Sequence, residues 1–351
     1  MTKITVPFFI SHHGCPHTCV FCNQRVISGA DGALPTSLEI LAKIHTWQKT
    51  AADRSVEIAF FGGTFTALPV AEQEQLLTPL QPLLASGEIN SIRLSTRPDC
   101  IDPAHVRWLA EKGVKTIELG IQSMDDAVLE AAGRGHTAIA SENAIRCIRD
   151  QGLKVGAQLM PGLPGDSAKI SLDSLEKVIT CGAQFLRIYP ALVLRETELS
   201  RRFEAGEYHP LTLKAAVLLC KQLLLRAMRA NVDVIRMGLQ ADEGLAAGSL
   251  LSGPWHPAFG QLVRSELYFD LMCQLAPACS TATQLKLRCH PSRVSDVIGQ
   301  GQINRVRLLK QGIQFEVQED VNLMKEELAF DWLNQSIKGN IKKDLNYTNE
   351  V

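Results

Sequence analysis

The sequence predicts an α/β protein, with a partial parallel (β/α)6 TIM-type barrel followed by a small C-terminal α+β domain. Short apolar, β-branched runs alternate with segments of helical periodicity through the first two thirds of the chain. That alternation stops near residue 240, where less regular elements begin. Repeated βα units imply a parallel sheet with right-handed connections. Because periodicity does not separate a barrel from a doubly wound open sheet, the open sheet remains the alternative.

Six predicted strands alternate with predicted helices, and a seventh strand comes later in the chain. Their apolar residues are nearly continuous, which is typical of parallel strands covered on both faces. The strands are predicted at residues 4–11, 55–61, 91–96, 116–122, 154–160, 185–190 and 232–237. The helices are predicted at residues 38–50, 71–85, 103–112, 125–132, 141–151 and 168–180. Asp102 before Pro103 and Gly152 after Gln151 are typical capping residues.

The C-terminal part begins with a Gly/Ala/Ser-rich stretch at residues 244–253. Beyond it, one helix and two strands are predicted, at residues 259–275, 285–289 and 313–317. We therefore divide the chain into a core domain at residues 1–240 and an accessory domain at residues 241–335. Residues 336–351 are polar and lysine-rich without apolar periodicity, so they are predicted to be disordered.

The composition is that of a globular protein, with 46% hydrophobic and 21% charged residues among 351. The formal net charge of −1 argues against bulk electrostatic capture of nucleic acid, although it leaves a local basic patch open. No apolar run approaches the ~20 residues needed to cross a bilayer. The first seven residues lack the features of a signal peptide. The sequence therefore predicts a cytoplasmic protein without a membrane partner.

The most unusual sequences lie where predicted strands end, which is where barrel enzymes place their chemistry. One of them lies at the end of each of the first six strands, and the last closes the sixth strand. They are His12-His13-Gly14-Cys15, Gly62-Gly63-Thr64, Arg97-Pro98-Asp99, Gln122-Ser123, Pro161-Gly162-Leu163-Pro164-Gly165 and Tyr189-Pro190. Because the carboxyl ends of parallel strands meet at one edge of a sheet, the sequence predicts a single functional site there.

Three of the ten cysteines form a C-x3-C-x2-C run, Cys15, Cys19 and Cys22, in the loop after the first strand. Three thiolates on one short loop can bind three irons of a cubane 4Fe–4S cluster and leave the fourth iron without a protein ligand. An open coordination position is what a catalytic metal centre needs. The spacing therefore predicts a catalytic iron–sulfur centre.

A structural zinc site is the alternative for these cysteines, with a fourth ligand from His12, His13 or His17. Such sites usually take pairs of ligands from two chain segments, and no second C-x2-C pair occurs in the sequence. Disulfide pairing within the loop does not fit a reducing compartment.

The other seven cysteines are scattered, and buried inert thiols are the default interpretation for them. Three of them leave an alternative open, because Cys273, Cys279 and Cys289 could bind an auxiliary cluster. Their spacing is irregular, which does not favour that reading.

Several motifs in order resemble the radical SAM (S-adenosylmethionine) superfamily, and within it the catalytic subunit of Elongator. The resemblance spans about residues 8–240. Its motifs are Thr96-Arg97-Pro98-Asp99, Arg134-Gly135-His136-Thr137, and residues 118–123, 160–165, 188–199 and 206–210. It implies a barrel of the radical SAM type, a 4Fe–4S cluster and SAM. In such chemistry an electron from the cluster breaks the S–C5′ bond of SAM and gives a 5′-deoxyadenosyl radical.

The resemblance also suggests which residues contact SAM. Arg97 is a candidate for its carboxylate, Gln122 for its ribose, and the glycine loops for its amino group and adenine. A solvent-facing arginine, a satisfied buried glutamine and ordinary tight turns are the alternatives. The candidate SAM-binding residues are Gly62, Gly63, Thr64, Arg97, Gln122, Met160, Pro161 and Gly162. No further catalytic residue is assigned.

The Elongator-like family acts on the wobble uridine of tRNA, together with an acetyl-CoA-dependent acetyltransferase domain. By resemblance we expect an RNA substrate and an external flavodoxin- or ferredoxin-like electron donor. A small molecule or tetrapyrrole is the alternative substrate, as in relatives of oxygen-independent coproporphyrinogen oxidase. A non-catalytic cluster or haem carrier is a further hypothesis.

Some features depart from the family pattern. The chain ends where an acetyltransferase domain would need well over ~100 further residues, and Cys15 comes too early for a basic N-terminal extension. Ser95 stands where the family tends to have Glu. Thr64 stands where the wider superfamily has an acid, so backbone atoms are expected to contact the SAM amino group there. We do not expect this chain alone to carboxymethylate tRNA.

Overall fold

The computed structural model describes residues 3–23, 33–51, 54–239, 248–276 and 285–346. The chain divides into two compact units, Met1–Leu211 with Gln240–Pro254, and Thr212–Leu239 with Trp255–Val351. The predicted boundary at residue 240 differs from this division, because residues 212–239 belong to the second unit. No helix among the described residues is long and apolar enough to cross a membrane.

The first unit contains six parallel strands that pair in chain order. They are β1 (Lys3–Phe9), β2 (Ser55–Phe61), β3 (Ser91–Thr96), β4 (Val114–Gln122), β5 (Lys154–Leu159) and β6 (Phe185–Ile188). A doubly wound sheet reverses its strand order at a switch point, and these strands show no reversal. The predicted partial (β/α)6 barrel is therefore confirmed, and the open-sheet alternative is wrong.

Helices connect these strands, and most of them begin at a side chain that accepts backbone hydrogen bonds. Asp102, for example, accepts from the amides of Ala104 and His105. The helices of this unit are α1 (Ser37–Ala51), α2 (Val70–Leu77), α3 (Gln81–Ser86), α4 (Pro103–Glu111), α5 (Asp126–Ala131), α6 (Ala138–Asp150), α7 (Ala168–Cys181) and α8 (Glu198–Glu204). A short antiparallel pair, β7 (Val193–Leu194) with β9 (Leu250–Ser252), completes the unit.

The single helix predicted at residues 71–85 is in fact two helices, α2 and α3. A 3-10 turn at Thr78–Leu80 separates them. Pro79 and Pro82 explain the break, because neither has an amide hydrogen to continue the α-helical ladder. Each proline lies in the first turn of its own short helix, where that hydrogen is not needed.

The middle barrel strands are covered on both faces, as predicted, but their buried residues include charged side chains on one face. Ile117 and Leu119 of β4 are buried among apolar residues, whereas Glu118 between them pairs with two arginines. Ion pairs continue across the same face, from Arg93 of β3 to Glu57 of β2 and from there to Lys3. Side chains alternate across a strand, so one face of this sheet carries a buried row of charges.

The second unit combines helices with a four-stranded sheet. Its helices are α9 (Leu213–Arg229), α10 (Phe259–Leu275), α11 (Val294–Ile298), α12 (Ile303–Lys310) and α13 (Ile341–Asp344), and its first strand is β8 (Asp233–Met237). The sheet consists of β10 (Leu285–Cys289), β11 (Phe315–Glu319), β12 (Glu327–Trp332) and β13 (Gln335–Asn340). β10 lies between β11, which is parallel to it, and β12, which is antiparallel to it. Leu225 of α9 joins α10 in one core, which explains why residues 212–239 belong to this unit.

The prediction of disorder from residue 336 is wrong for residues 336–344. Strand β13 pairs antiparallel with β12, and α13 follows it. Ile341 and Leu345 are each only 2% exposed, and they anchor this lysine-rich segment to the core. The apolar residues are too few to give a helical or strand period, so composition suggested disorder.

Candidate active site

The cysteine loop follows β1 and packs directly on the loop after β2. The amide of Thr64 donates to the carbonyl of His13 at 2.9 Å, and the Thr64 hydroxyl lies 3.3 Å from the Cys15 Sγ. A Cβ atom on Gly63 would lie 2.4 Å from the Ile10 carbonyl oxygen and 2.6 Å from that of His13. Gly63 is therefore required by the close approach of the two loops.

The turn between α5 and α6 lies against the other side of the cysteine loop. The amide of Val20 donates to the Ala132 carbonyl at 3.1 Å. Arg134 Nη1 donates to the Cys19 Sγ at 3.0 Å. A Cβ atom on Gly135, whose φ is +67°, would lie 2.5 Å from the His17 ring. The cysteine loop is thus held between the loop after β2 and the turn between α5 and α6.

The three thiols fit a cubane cluster. Cys15, Cys19 and Cys22 are outside disulfide bonds, with Cys15 exposed, Cys22 half-buried and Cys19 buried beside a guanidinium. Among the described residues, no three His, Cys, Asp or Glu side chains converge as ligands of one metal ion, as a zinc site requires. A cubane cluster requires wider spacing between its ligands than a single ion does, because each thiolate binds a different iron of the cube. The buried cation and the hydroxyl beside the sulfurs are suitable partners for an anionic cluster.

Behind the cysteine loop, several buried nitrogen atoms have no hydrogen-bond partner. Arg97 pairs with Asp99 through two bonds of 3.0 and 2.9 Å, and its Nη2 also donates to the Arg134 carbonyl. Arg97 Nη1, Arg134 Nε and both ring nitrogens of His136 remain buried and unpaired. Unpaired buried donors are costly, so a ligand with acceptor atoms would stabilise this region. The predicted role of Arg97 toward a carboxylate therefore rests on a single free donor nitrogen.

Burial and the neighbouring charge of Arg134 lower the pKa of His136 to about 4. The neutral ring is therefore the folded form near neutral pH, and its stabilising contribution is complete above the ordinary pKa of 6.5. That contribution is lost as the pH falls from 6.5 toward 4. Between pH 7 and pH 5, we expect the cluster-free protein to lose about 2 kcal/mol more unfolding free energy than a His136→Gln variant.

Urea unfolding of the two proteins at both pH values measures this difference. The exposed His209 provides the matched control, and His209→Gln should leave the pH dependence of the wild type unchanged. Equal pH dependence in wild type and His136→Gln would show that the ring is solvated.

Gln122 lies at the end of β4 in a left-handed conformation, with φ of +73°. The pairing of β4 with β5 shifts register between Gly120 and Gln122. Gln122 is buried, and its backbone carbonyl accepts from the Met160 amide at 2.9 Å. A left-handed non-glycine residue persists only where the surroundings hold it, and such residues cluster at functional sites. This geometry agrees with the placement of Gln122 in the predicted site.

The loop that begins at Met160 is held by a second layer of hydrogen bonds. The Gly162 amide donates to Asp166 Oδ2 at 2.7 Å, and the Tyr208 hydroxyl donates to the Gly162 carbonyl at 2.6 Å. Burial raises the pKa of the Asp166 carboxyl, against the hydrogen bonds from Ser171 and Gly162 that lower it. The loop predicted to close over an adenine is therefore preorganised.

Tyr208→Phe should loosen this loop without disturbing the rest of the protein, because it removes only the hydroxyl bonded to Gly162. We expect a loss of about 1 kcal/mol of unfolding free energy and faster amide exchange in residues 160–166. Hydrogen–deuterium exchange read by mass spectrometry measures the local effect. Tyr268→Phe is the control, because its hydroxyl bonds a carbonyl in the second unit. Unchanged exchange at residues 160–166 would contradict the anchoring role.

The structure brings part of the predicted site together. Thr64 contacts Cys15, Arg97 is linked to Cys19 through Arg134, and Gln122 bonds the Met160 backbone. Sequence reasoning assigned no role to five residues that organise the site, namely Asp99, Arg134, His136, Asp166 and Tyr208. For Arg134 and His136, the only signal in the sequence was the Arg-Gly-His-Thr motif that contains them.

Of the six remaining cysteines that the structure describes, three are buried as expected, Cys181, Cys220 and Cys289, and Cys100 and Cys147 are half-buried. Cys220 and Cys289 are buried, and burial raises the pKa of Cys289 to about 11, which disfavours the thiolate that a cluster would need. Cys273 is exposed on α10. Cys279 lies outside the described residues, so the auxiliary-cluster alternative stays a prediction.

Three closely spaced cysteines after the first strand of a partial (β/α)6 barrel are the arrangement of the radical SAM enzymes. The sequence profile of the Radical SAM superfamily matches residues 9–178, and that of the Radical_SAM C-terminal domain matches residues 183–268. Together they match more than two thirds of the chain, and the chain belongs to the radical SAM superfamily.

Within that superfamily, the Elongator-like resemblance is also confirmed. The chain is 26% identical to the tRNA uridine(34) acetyltransferase of Methanocaldococcus jannaschii over 253 residues, which are 60% of this chain and 47% of that protein. It is 25% identical to the Elongator complex protein 3 of Saccharomyces cerevisiae over 257 residues, 60% of this chain and 46% of that protein. The chain thus spans about half the length of these curated relatives.

A solved structure shows the same fold. The archaeal Methanocaldococcus infernus Elp3 with an N-terminal deletion superposes with a TM-score of 0.60. The superposition covers 79% of this chain and 64% of that chain, at 21% sequence identity. At that identity the likeness concerns the fold, and it supports the partial barrel described above.

Proposed function

We propose that this chain binds a 4Fe–4S cluster through Cys15, Cys19 and Cys22 and cleaves SAM reductively, with RNA as its substrate. The observation that carries the proposal is the set of three cysteines on one strand-end loop, none in a disulfide, with Cys19 bonded to a buried arginine. When bound, the cluster and SAM supply an electron and a 5′-deoxyadenosyl radical that abstracts hydrogen. A flavodoxin- or ferredoxin-like protein would supply the electron.

The other residues of the site would orient SAM. Arg97 Nη1 and the His136 ring offer buried nitrogen atoms that a carboxylate or an ordered water could satisfy. The backbone of Gly62 and Gly63 is assigned to the amino group, and Gln122 to the ribose. The rigid loop that contains Met160, Pro161 and Gly162 would cover the adenine.

The RNA substrate is supported by similarity to relatives named for tRNA modification and for Elongator. A barrel enzyme reads its substrate through the loops at the carboxyl ends of its strands, which is where the cysteine loop lies. The net charge of −1 gives no bulk attraction, so an RNA-binding surface would have to be local.

Anaerobic reconstitution tests the chemistry. The wild-type protein should bind about four irons and four sulfides and release 5′-deoxyadenosine when reduced in the presence of SAM. Cluster binding without 5′-deoxyadenosine would instead indicate a carrier. Release that increases with added tRNA supports the RNA substrate, whereas release that increases only with a protein-free and RNA-free metabolite extract would replace it with a small molecule.

A further inference from the structure

We propose that Arg134 is a positioning residue that raises the reduction potential of the cluster by donating a charged hydrogen bond to the Cys19 thiolate. This inference rests on the proposed function, because it concerns the cluster that Cys15, Cys19 and Cys22 would hold. Arg134 has no direct contact with the reacting atoms in this proposal. It acts on them through a sulfur atom.

The contact is short, buried and directed. Arg134 Nη1 lies 3.0 Å from the Cys19 Sγ, and Arg134 and Cys19 are 5% and 8% exposed. The second terminal nitrogen donates to the Gly120 carbonyl at the end of β4. The Arg134 carbonyl accepts a hydrogen bond from Arg97. Both the guanidinium and the backbone of Arg134 are therefore fixed, which keeps one N–H directed at the sulfur.

The backbone around Arg134 also follows the cysteine loop. Gly133 and Gly135 on either side have φ of +64° and +67°. That conformation lets the turn lie against His17, and no side chain larger than a hydrogen fits at Gly135 without displacing its ring. The Ala132 carbonyl accepts from the Val20 amide. The turn thus follows the loop from residue 17 to residue 20.

Charge balance gives the direction of the effect. One-electron reduction of the cluster by an external one-electron donor adds a negative charge that is shared with the cysteine sulfurs. A buried cation and its N–H stabilise the reduced state more than the oxidised state, and hydrogen bonds to the sulfurs are a known determinant of cluster potential. Loss of this interaction should therefore make reduction harder. We expect a tenfold smaller equilibrium constant for reduction, which corresponds to about 59 mV for one electron.

The test is an anaerobic redox titration of the reconstituted protein, followed by electron paramagnetic resonance of the reduced cluster. Arg134→Met removes charge and donor, Arg134→Gln keeps an N–H donor without charge, and Arg134→Lys keeps the charge without the planar fork. We expect the lowest potential for the methionine variant and intermediate values for the other two. The control is Arg202→Met, because Arg202 donates to the Ala131 carbonyl of the same turn.

The readouts separate the two proposals. Absence of iron and sulfide from the wild-type protein would end the proposed function, whatever the variants do. A second outcome is a wild type that binds the cluster but has an equilibrium constant for reduction within a factor of two of that of Arg134→Met. That result would overturn the proposed role of Arg134 and leave the proposed function standing. If Arg134→Met does not bind the cluster, the reduction potentials of Arg134→Gln and Arg134→Lys are compared with that of the wild type instead. Failure of all three to load would assign Arg134 to loop assembly and also overturn the redox role.

Discussion

Cys19→Ala is expected to abolish cluster binding and the release of 5′-deoxyadenosine, and Cys15→Ala and Cys22→Ala should do the same. Each thiolate would bind a different iron, so one substitution leaves a second iron without a protein ligand. Loss of residues that merely support a metal ligand lowers metal affinity or activity by about 10–100-fold. Loss of a ligand itself should exceed the upper end of that range.

The measurements are iron and sulfide content after anaerobic reconstitution, and 5′-deoxyadenosine released per protein. Cys147→Ala is the matched control, because Cys147 is a half-buried free thiol on α6, remote in sequence from the loop. It should bind as much iron as the wild type. Metal analysis of protein purified without exposure to oxygen also tests the zinc alternative, since zinc without iron or sulfide in that preparation would contradict a cubane cluster.

Retention of a full cluster after all three thiols become alanine would refute the assignment. The remaining cysteines offer a poor replacement among the described residues, because burial raises the pKa of Cys220 and Cys289. A thiol held in its protonated form is a weak iron ligand. Burial also raises the pKa of Cys100, which follows β3.

Local sequence patterns predicted several strands and helices of this protein and its cysteine motif. The bounds of β2 and β3 agree with the predicted strands, because short β-branched runs between polar turns leave little choice of boundary. The cysteine motif could be recognised because its three members lie within eight residues of one another. The bounds of α10 also agree with the predicted helix, because its apolar residues recur at helical spacing.

Features that depend on distant residues could not be predicted in this way. The bond from Arg134 to Cys19 joins residues that are 115 positions apart, and no periodicity connects them. The pairing of Arg187 with Glu118 spans 69 positions. The sequence did contain one signal of the polar sheet face: β4 alternates apolar residues with Thr116, Glu118 and Gln122. A strict period of two predicts a strand with one polar face.

That polar face leads to the second large prediction, which concerns stability. Glu118 is 4% exposed and contacts two arginines, with Arg93 Nη1 at 2.5 Å and Arg187 Nη2 at 3.0 Å. Arg187 Nε also lies 2.7 Å from the carboxylate, although without the alignment of a hydrogen bond. Glu118→Ala would leave buried guanidinium groups without their counter-charge. We expect a loss of about 3–5 kcal/mol of unfolding free energy.

Chemical denaturation measures this loss, with Glu142→Ala as the control. Glu142 pairs with Arg146 one turn away on the surface of α6, and such exposed pairs contribute at most about 0.5 kcal/mol. Glu118→Gln keeps the shape and one acceptor oxygen of the side chain but not its charge. Its loss of unfolding free energy should therefore lie between those of Glu118→Ala and Glu142→Ala. A loss below about 1 kcal/mol for Glu118→Ala would mean that water solvates the two arginines. The row of charges would then line a hydrated channel rather than a dry interior, and both arginines would be available to an anionic ligand.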